Sequence, residues 1–341
     1  PTVLRMLEDL TGIDPKTIPL DDPDTMEIFR SLESLGVSLD ELGCDVGCIA
    51  IPEFGTNFVR GMIMDTRPTT MEELVRISGL SHGENLWLGN AQDLIAAGTA
   101  TLSQVPCTRD DIMNYLILRG GDPSMSFKTM ESVRKGRGVS PEMEEAMRAI
   151  DTPEWYIDAC KKIKYMFPKA HAAAYVIAAI RLGWYKVHEP LAFYAAYFYR
   201  RSQKGGFDAA MMTHGIDLVK QKLQEIDEAE DATAKDDDLF TTLEVCYEFY
   251  LRGFSFAPID LYRSHATRFV IEDGKLLPPF VSVSGLGETA AWDIMEGREG
   301  KEFLSIEEFS LACPKVSKTH IENLKAAGAF GDLPETSQIT L

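Results

Sequence analysis

One segment constrains the fold of this chain more than any other, a run of helix formers that begins at a proline. Pro168 is followed by Lys169, Ala170, His171 and three alanines, and the apolar run Ala172–Ile180 is closed only by Arg181. Proline suits the first turn of a helix, where no amide donor is needed, and alanine is the best helix former. The pattern predicts a long helix from Pro168 to about Val187. Just upstream, Lys161, Lys162, Ile163, Lys164, Tyr165, Met166 and Phe167 set lysines and aromatics before that start. The free amides of a first turn, together with Lys169 and His171, make one positive end. A phosphate group fits such an end, and a neighbouring aromatic fits a nucleobase or a sugar. An ordinary amphipathic helix with a solvated basic flank has the same pattern, so the residues alone leave both readings open.

Charge sharpens the question. The chain of 341 residues carries a formal net charge of −19, which argues against indiscriminate nucleic-acid binding. From Lys161 to Lys204 the balance reverses. Lys161, Lys162, Lys164, Lys169, Arg181, Lys186, Arg200, Arg201 and Lys204 face a single acid, Glu189, while acids gather in Glu225–Asp238. A basic region in an acidic protein suits a phosphate-binding groove with solvated outer faces. The six cysteines are scattered and form no Cys-x-x-Cys; they read as buried free thiols in a reducing cytoplasm. No stretch approaches the ~20 apolar residues of a membrane span, and there is no signal peptide. Because the first residue is proline rather than methionine, the chain is expected to begin inside a longer protein.

Helical periodicity recurs along most of the chain and predicts a mainly α fold. Helices are expected at Thr2–Thr11, at Thr25–Leu35 with Asp24 as cap, and at Thr70–Ser78, followed by a glycine-punctuated loop Ser78–Asn90. Further helices are expected at Arg109–Arg119, Ser124–Lys135, Pro141–Ala149, Glu154–Met166, Pro190–Tyr199, Phe207–Ile226 and Leu239–Arg252. Asp227–Asp238 reads as a solvated linker. Phe254–Pro279 reads as extended, with a turn at Asp273-Gly274.

The sharpest local motif is Val283-Ser284-Gly285-Leu286-Gly287-Glu288, followed by helical residues through Ile294. An apolar residue, Gly-x-Gly and a helix start form a helix–hairpin–helix signature. Its glycines let backbone approach a phosphate, and the helix start offers free amides. Such contacts position DNA without reading its sequence. A plain glycine-containing connection between helices is the alternative. Pro314–Phe330 repeats the helical outline with a degenerate hairpin and is expected to pack rather than bind. Arg109 is a phosphate candidate, whereas the adjacent Asp110 and Asp111 read as capping or surface-pairing groups. Arg134, Lys135 and Arg137, around Gly136, form a basic turn that grips a phosphate backbone or simply ends a helix. Gly79–Gly83, with Ser81 and His82, lacks the spacing of a nucleophile loop and reads as a structural or substrate-lining turn. No Walker loop, dinucleotide fingerprint or His-Glu-x-x-His is present, and no carboxylate pair on a strand pattern could hold two metals.

Ile51–Thr56, Gly79–Gly83, Trp87–Ala91, Tyr165–Tyr175 and Gly285–Gly287 together resemble the C-terminal part of PolC-type DNA polymerase III alpha subunits, and the Lys169–Tyr175 core is also similar to DnaE-type polymerases. The resemblance covers nearly the whole chain in order. It implies a multi-helical polymerase fingers domain followed by a small helix–hairpin–helix domain. Residues 1–20 would be the trailing edge of a palm, 21–228 the fingers, 229–280 a connecting helix and extended segment, 281–333 the helix–hairpin–helix module, and 334–341 a tail. That family's catalytic aspartates and their two Mg2+ ions belong to a palm upstream, so no catalytic or metal-binding residue is expected in this chain, and the chain alone is expected to be inactive. Arg109, Tyr165, Phe167, Lys169, His171, Ser81 and His82 are the expected dNTP-binding residues. Gly285, Leu286, Gly287, Arg134, Lys135 and Arg137 are those expected for primer-template DNA. Gln338 and Leu341 look like part of a sliding-clamp peptide whose final Phe is missing, which weakens that expectation. The implied partners are DNA, dNTP, the clamp and the remaining polymerase domains, with no membrane. A stand-alone, non-enzymatic helical DNA-binding protein is the alternative.

Overall fold

A computed structural model describes residues 2–337. Seventeen α-helices and one two-stranded sheet occur among them. In chain order the helices are α1 (Thr2–Thr11), α2 (Pro23–Glu27), α3 (Asn57–Thr66), α4 (Met71–His82), α5 (Gln92–Ala96), α6 (Arg109–Leu118), α7 (Pro123–Arg134), α8 (Pro141–Ala149), α9 (Glu154–Lys162), α10 (Lys169–His188), α11 (Pro190–Ser202), α12 (Ala209–Met212), α13 (Ile216–Asp227) and α14 (Ala234–Leu251). Strands β1 (Val270–Glu272) and β2 (Lys275–Leu277) follow, then α15 (Glu288–Gly297), α16 (Ile306–Ala312) and α17 (Lys318–Ala326). None of these helices is long and apolar enough to cross a membrane.

Local chemistry explains most of the boundaries. The side chains of Thr56, Thr70, Asp122 and Ser140 accept amides of the helices they precede, and Pro123 and Pro141 follow the last two caps. β1 and β2 pair antiparallel, Val270 with Leu277 and Glu272 with Lys275. Asp273 and Gly274 both take positive φ between them, the turn that an Asp-Gly pair favours.

Five expectations are corrected. Asp22, not Asp24, caps α2, and that helix ends at Glu27. Helix α4 continues through Gly79 to His82, so Gly79–Gly83 is a helix end and not a loop. Gly79 serves close packing there, since a Cβ would lie 2.7 Å from the Cys107 carbonyl oxygen. Helix α9 stops at Lys162, because the chain beyond it turns to pair Tyr165 with Glu84 in an antiparallel bridge. The amphipathic stretch 207–226 is two helices broken at Gly215 (φ 105°). The expected acidic linker is also shorter, since Thr233 caps α14 and Asp236 and Asp237 lie in its first turn, where carboxylates favour the helix dipole.

The described residues divide into two compact units, one of residues 2–17, Leu35–Gly43 and 185–337, the other of Ile18–Ser34 and Cys44–Trp184. The division falls inside α10 and therefore inside the span 21–228. The first unit has an aromatic core in which Phe249 and Phe256 lie 4.7 Å apart between ring centroids, and Phe207 and Phe269 4.9 Å. Within it Lys186 and Glu248 are fully buried and paired at 2.8 Å. Glu248 also accepts from the Tyr194 hydroxyl at 2.6 Å, and Arg252 donates to the Lys186 carbonyl. Burial, then the neighbouring Glu248 charge, pushes the Tyr194 phenol up. A second core, from Ile259 to Phe330, joins α15, α16 and α17. In the other unit Tyr115 and Tyr156 stack at 4.0 Å. All six cysteines are free and buried, as expected.

Candidate functional site

The head of α10 is built from three pieces of one unit. The amide of Arg109, at the start of α6, donates to the Phe167 carbonyl at 3.2 Å. The next residue, Asp110, accepts the amide of Lys169 at 2.8 Å. Asp111 accepts the amides of Cys107 and Thr108. Both aspartates are therefore caps, as their sequence context suggested, and one of the amides assigned to the positive pole of α10 is already taken. The side chains gather around Phe167. His82, from the last turn of α4, stacks on it at 4.8 Å and 28°. His171 lies 5.8 Å away and Tyr175 6.4 Å away, both tilted or parallel to the same ring. His82 Nε2 meets a Glu53 carboxylate oxygen at 2.6 Å.

Of the residues expected to bind dNTP, Phe167, Lys169, His171 and His82 thus converge, with Arg109 tied in through its backbone. Tyr165 stands half-exposed in the bridge to Glu84. Ser81 donates its hydroxyl to the Ser78 carbonyl of its own helix. Sequence reasoning missed Tyr175 and Glu53. Tyr175 follows His171 by four residues, a same-face spacing that could have flagged it. Glu53 lies in the Ile51–Thr56 motif of the resemblance, but nothing local points it at His82, 29 residues on.

The broad basic groove does not survive as drawn. Lys186 is buried against Glu248. Arg201 pairs with Asp238 at 2.7 Å, and Lys161 with Glu144 at 2.7 Å. Lys162 donates to the Gly89 carbonyl. Salt bridges to remote acids, invisible to a count along the chain, neutralise Lys161, Lys186 and Arg201. Arg134 and Lys135 both pair with Glu131, and hydrogen bonds from Arg134 and then Lys135 hold that carboxyl down at about 2. Arg137 remains exposed. The turn itself lies against the α10 approach, for a Cβ on Gly136 would sit 2.5 Å from the Lys164 carbonyl oxygen.

The hairpin before α15 is simpler. Gly285 takes φ 77°, and Gly287 is the N-cap with no side-chain cap. A Cβ on Gly287 would meet nothing within 4 Å. Leu286 is buried in the module's core and its amide donates to the Val283 carbonyl at 3.1 Å, so the exposed backbone of the turn is that of the two glycines. Asn323 Nδ2 braces the turn by donating to the Ser284 carbonyl at 2.9 Å. The second, degenerate hairpin packs, with Cys313 and Val316 buried and the Lys315 amide given to Asp293 at 2.7 Å. Among the described residues no three His, Cys, Asp or Glu side chains gather where they could hold a metal ion. Gln338 and Leu341 lie outside the described residues.

Residues 1–150 match the bacterial DNA polymerase III alpha subunit finger domain, and residues 253–339 match a helix-hairpin-helix motif. Over its whole length the chain is 55% identical to the DNA polymerase III PolC-type of Bacillus cereus, 53% to that of Bacillus subtilis and 52% to that of Thermotoga maritima. The chain is homologous to PolC-type DNA polymerase III. It spans about a quarter of the length of these relatives, 24% of the first two and 25% of the third. The PolC resemblance, the mainly α fold, the finger domain and the helix–hairpin–helix module are as the sequence led one to expect. The finger match includes Glu53, His82 and Arg109 but ends before Phe167 and Lys169.

Proposed function

We propose that this chain serves a DNA-directed DNA polymerase as the part that receives the incoming dNTP and holds primer-template DNA. The convergence of His82, Phe167, His171 and Tyr175 beside Lys169 carries the reading. Flat rings in contact offer a face for a base or sugar. The Lys169 ammonium at the head of α10 is a mobile point charge for phosphate oxygens, and Arg109 lies one backbone hydrogen bond away. Holding the triphosphate and base together would convert a bimolecular encounter into an oriented one. The Gly285–Gly287 hairpin, in which both glycines are exposed and open space lies over Gly287 at the uncapped start of α15, is the proposed DNA-phosphate contact. Mg2+ and the carboxylates that hold it are assigned to the rest of the polymerase, so the chain by itself carries out no primer extension.

The test is Lys169→Ala in the whole polymerase. The KM for dNTP should rise about tenfold, the order expected for a lost charge-assisted contact of 1.5–3 kcal/mol. The melting temperature should hardly move, since a surface substitution costs within about 0.5 kcal/mol. Normal KM with a lowered melting temperature would make Lys169 a structural residue.

A further inference from the structure

We infer that Glu53 is a positioning residue for His82, and that through it Glu53 fixes the ring on which the base or sugar of the nucleotide is received. The inference rests on the nucleotide-binding reading above. It begins with backbone. Between Cys48 and Thr56 the chain folds back on itself, with Ile51 donating to the Cys48 carbonyl at 3.0 Å and Phe54 to the Ile51 carbonyl at 3.3 Å. Two residues that are not glycine, Ala50 (φ 66°) and Glu53 (φ 76°), take left-handed backbone there. Neither is a residue that adopts this region readily. Such strain persists only where the surroundings over-determine it, and it concentrates at ligand clamps.

What the strained turn delivers is one carboxylate. Glu53 Oε2 accepts from the Ser78 hydroxyl at 3.2 Å and meets His82 Nε2 at 2.6 Å. The Glu53 side chain is 14% exposed and the His82 side chain 38%, so the pair has a protected inner half and an open outer half. A histidine in the last turn of a helix, left alone, would sample several rotamers. The carboxylate removes that freedom and commits Nε2 as the donor. The ring then lies flat on Phe167 at 4.8 Å and reaches Tyr175 at 6.2 Å. Its other nitrogen, Nδ1, is the one left for a ligand. A carboxylate that orients a histidine through one nitrogen while the other works is a general device. Here it would orient a stacking surface rather than a base.

A double-mutant cycle in the whole polymerase tests this, with KM and kcat for dNTP as readouts. Glu53→Ala should raise KM about tenfold, since misplacing a group by about 1 Å can cost up to a hundredfold. It should leave kcat within about threefold. Glu53→Gln, whose amide oxygen still accepts from Nε2, should restore KM to within about threefold of the native value. In a His82→Ala background Glu53→Ala should have no further effect, because coupled residues are non-additive. Full additivity of the two substitutions, or an unchanged KM in Glu53→Ala, overturns the inference. Should Glu53→Ala fail to fold, Glu53→Gln in the same cycle decides it, with a KM increase of about threefold expected in the native background and none with His82→Ala. If His82→Ala and Phe167→Ala themselves leave KM unchanged, the nucleotide reading of the cluster has failed. If they raise it while Glu53 acts independently, only the present inference has.

Discussion

The heads of α10 and α15 are positive poles of the same kind, built in opposite ways. At α10 the pole is partly quenched, because Asp110 already accepts the Lys169 amide. Under the proposed function, grip there comes from side chains, the Lys169 ammonium and the rings around Phe167. At α15 no side chain caps the helix and open space lies over Gly287, so the proposed grip comes from backbone amides. Side chains can be shaped to one small ligand and can swing. Fixed amides suit a repeating polyanion whose sequence is irrelevant. The contrast extends to glycine. Gly136, beside the α10 approach, is glycine because the Lys164 carbonyl leaves no room. Gly287 has room that the fold does not use.

Substitutions can break this contrast, and their expected stability costs fall in the following order. Gly136→Ala places a methyl group against backbone in a left-handed conformation, and overpacking with this strain should cost about 3 kcal/mol, read as a lowered denaturation midpoint. A loss under about 1 kcal/mol would mean that the basic turn yields freely. Asp110→Ala removes a cap, at a cost of about 1 kcal/mol. It should also make the α10 head resemble that of α15, strengthening dNTP binding severalfold in a titration. Unchanged or weaker binding would show that the aspartate does not compete with phosphate.

The third substitution concerns the foot of the hairpin. His265 Nδ1 accepts the amides of Thr267 and Arg268, each at 3.1 Å, and the His265 and Ala266 carbonyls accept Phe280 and Val281. Burial, then the charges of Arg268 and Arg298, lowers the His265 pKa below its ordinary 6.5. A base with a lowered folded pKa binds fewer protons folded than unfolded. Its stabilisation is therefore complete above about 6.5 and is lost as pH falls from there through the folded value. Melting should drop more between pH 7.5 and 5.5 in the native protein than in His265→Asn, which keeps an acceptor but cannot titrate; equal drops would remove His265 from the account. Gly287→Ala should have the smallest effect on stability, within about 0.5 kcal/mol. DNA affinity should nonetheless fall, measured at a single stated salt concentration. Native affinity in this variant would reduce the hairpin to a connection.

The sequence disclosed each region to the degree that its determinants are local. The hairpin's turn, helix start and buried Leu286 lie within a few residues, and the motif was readable. The Asp273-Gly274 turn and the boundaries of α10 were readable for the same reason, the latter found at Lys169–His188 against an expected 168–187. Gly79 misled because glycine reads as a breaker when its real constraint is the Cys107 carbonyl across the packing. The α10 site depends on partners far along the chain, Asp110 at 59 residues from Lys169 and Glu53 at 29 from His82. No periodicity encodes such pairings. The basic groove was overdrawn for the same reason, since the acid that neutralises Lys186 is 62 residues away.

That buried pair has a thermal consequence. Charged groups are hydrated less favourably as temperature rises, so the cost of keeping Lys186 and Glu248 out of water shrinks with heating, while apolar burial per unit area levels off. Lys186, Glu248, Tyr194 and Arg252 tie together the end of α10, the middle of α11 and the end of α14. In warm conditions this knot of charge becomes a larger share of what keeps those three helices in register, and the rings around it a smaller one.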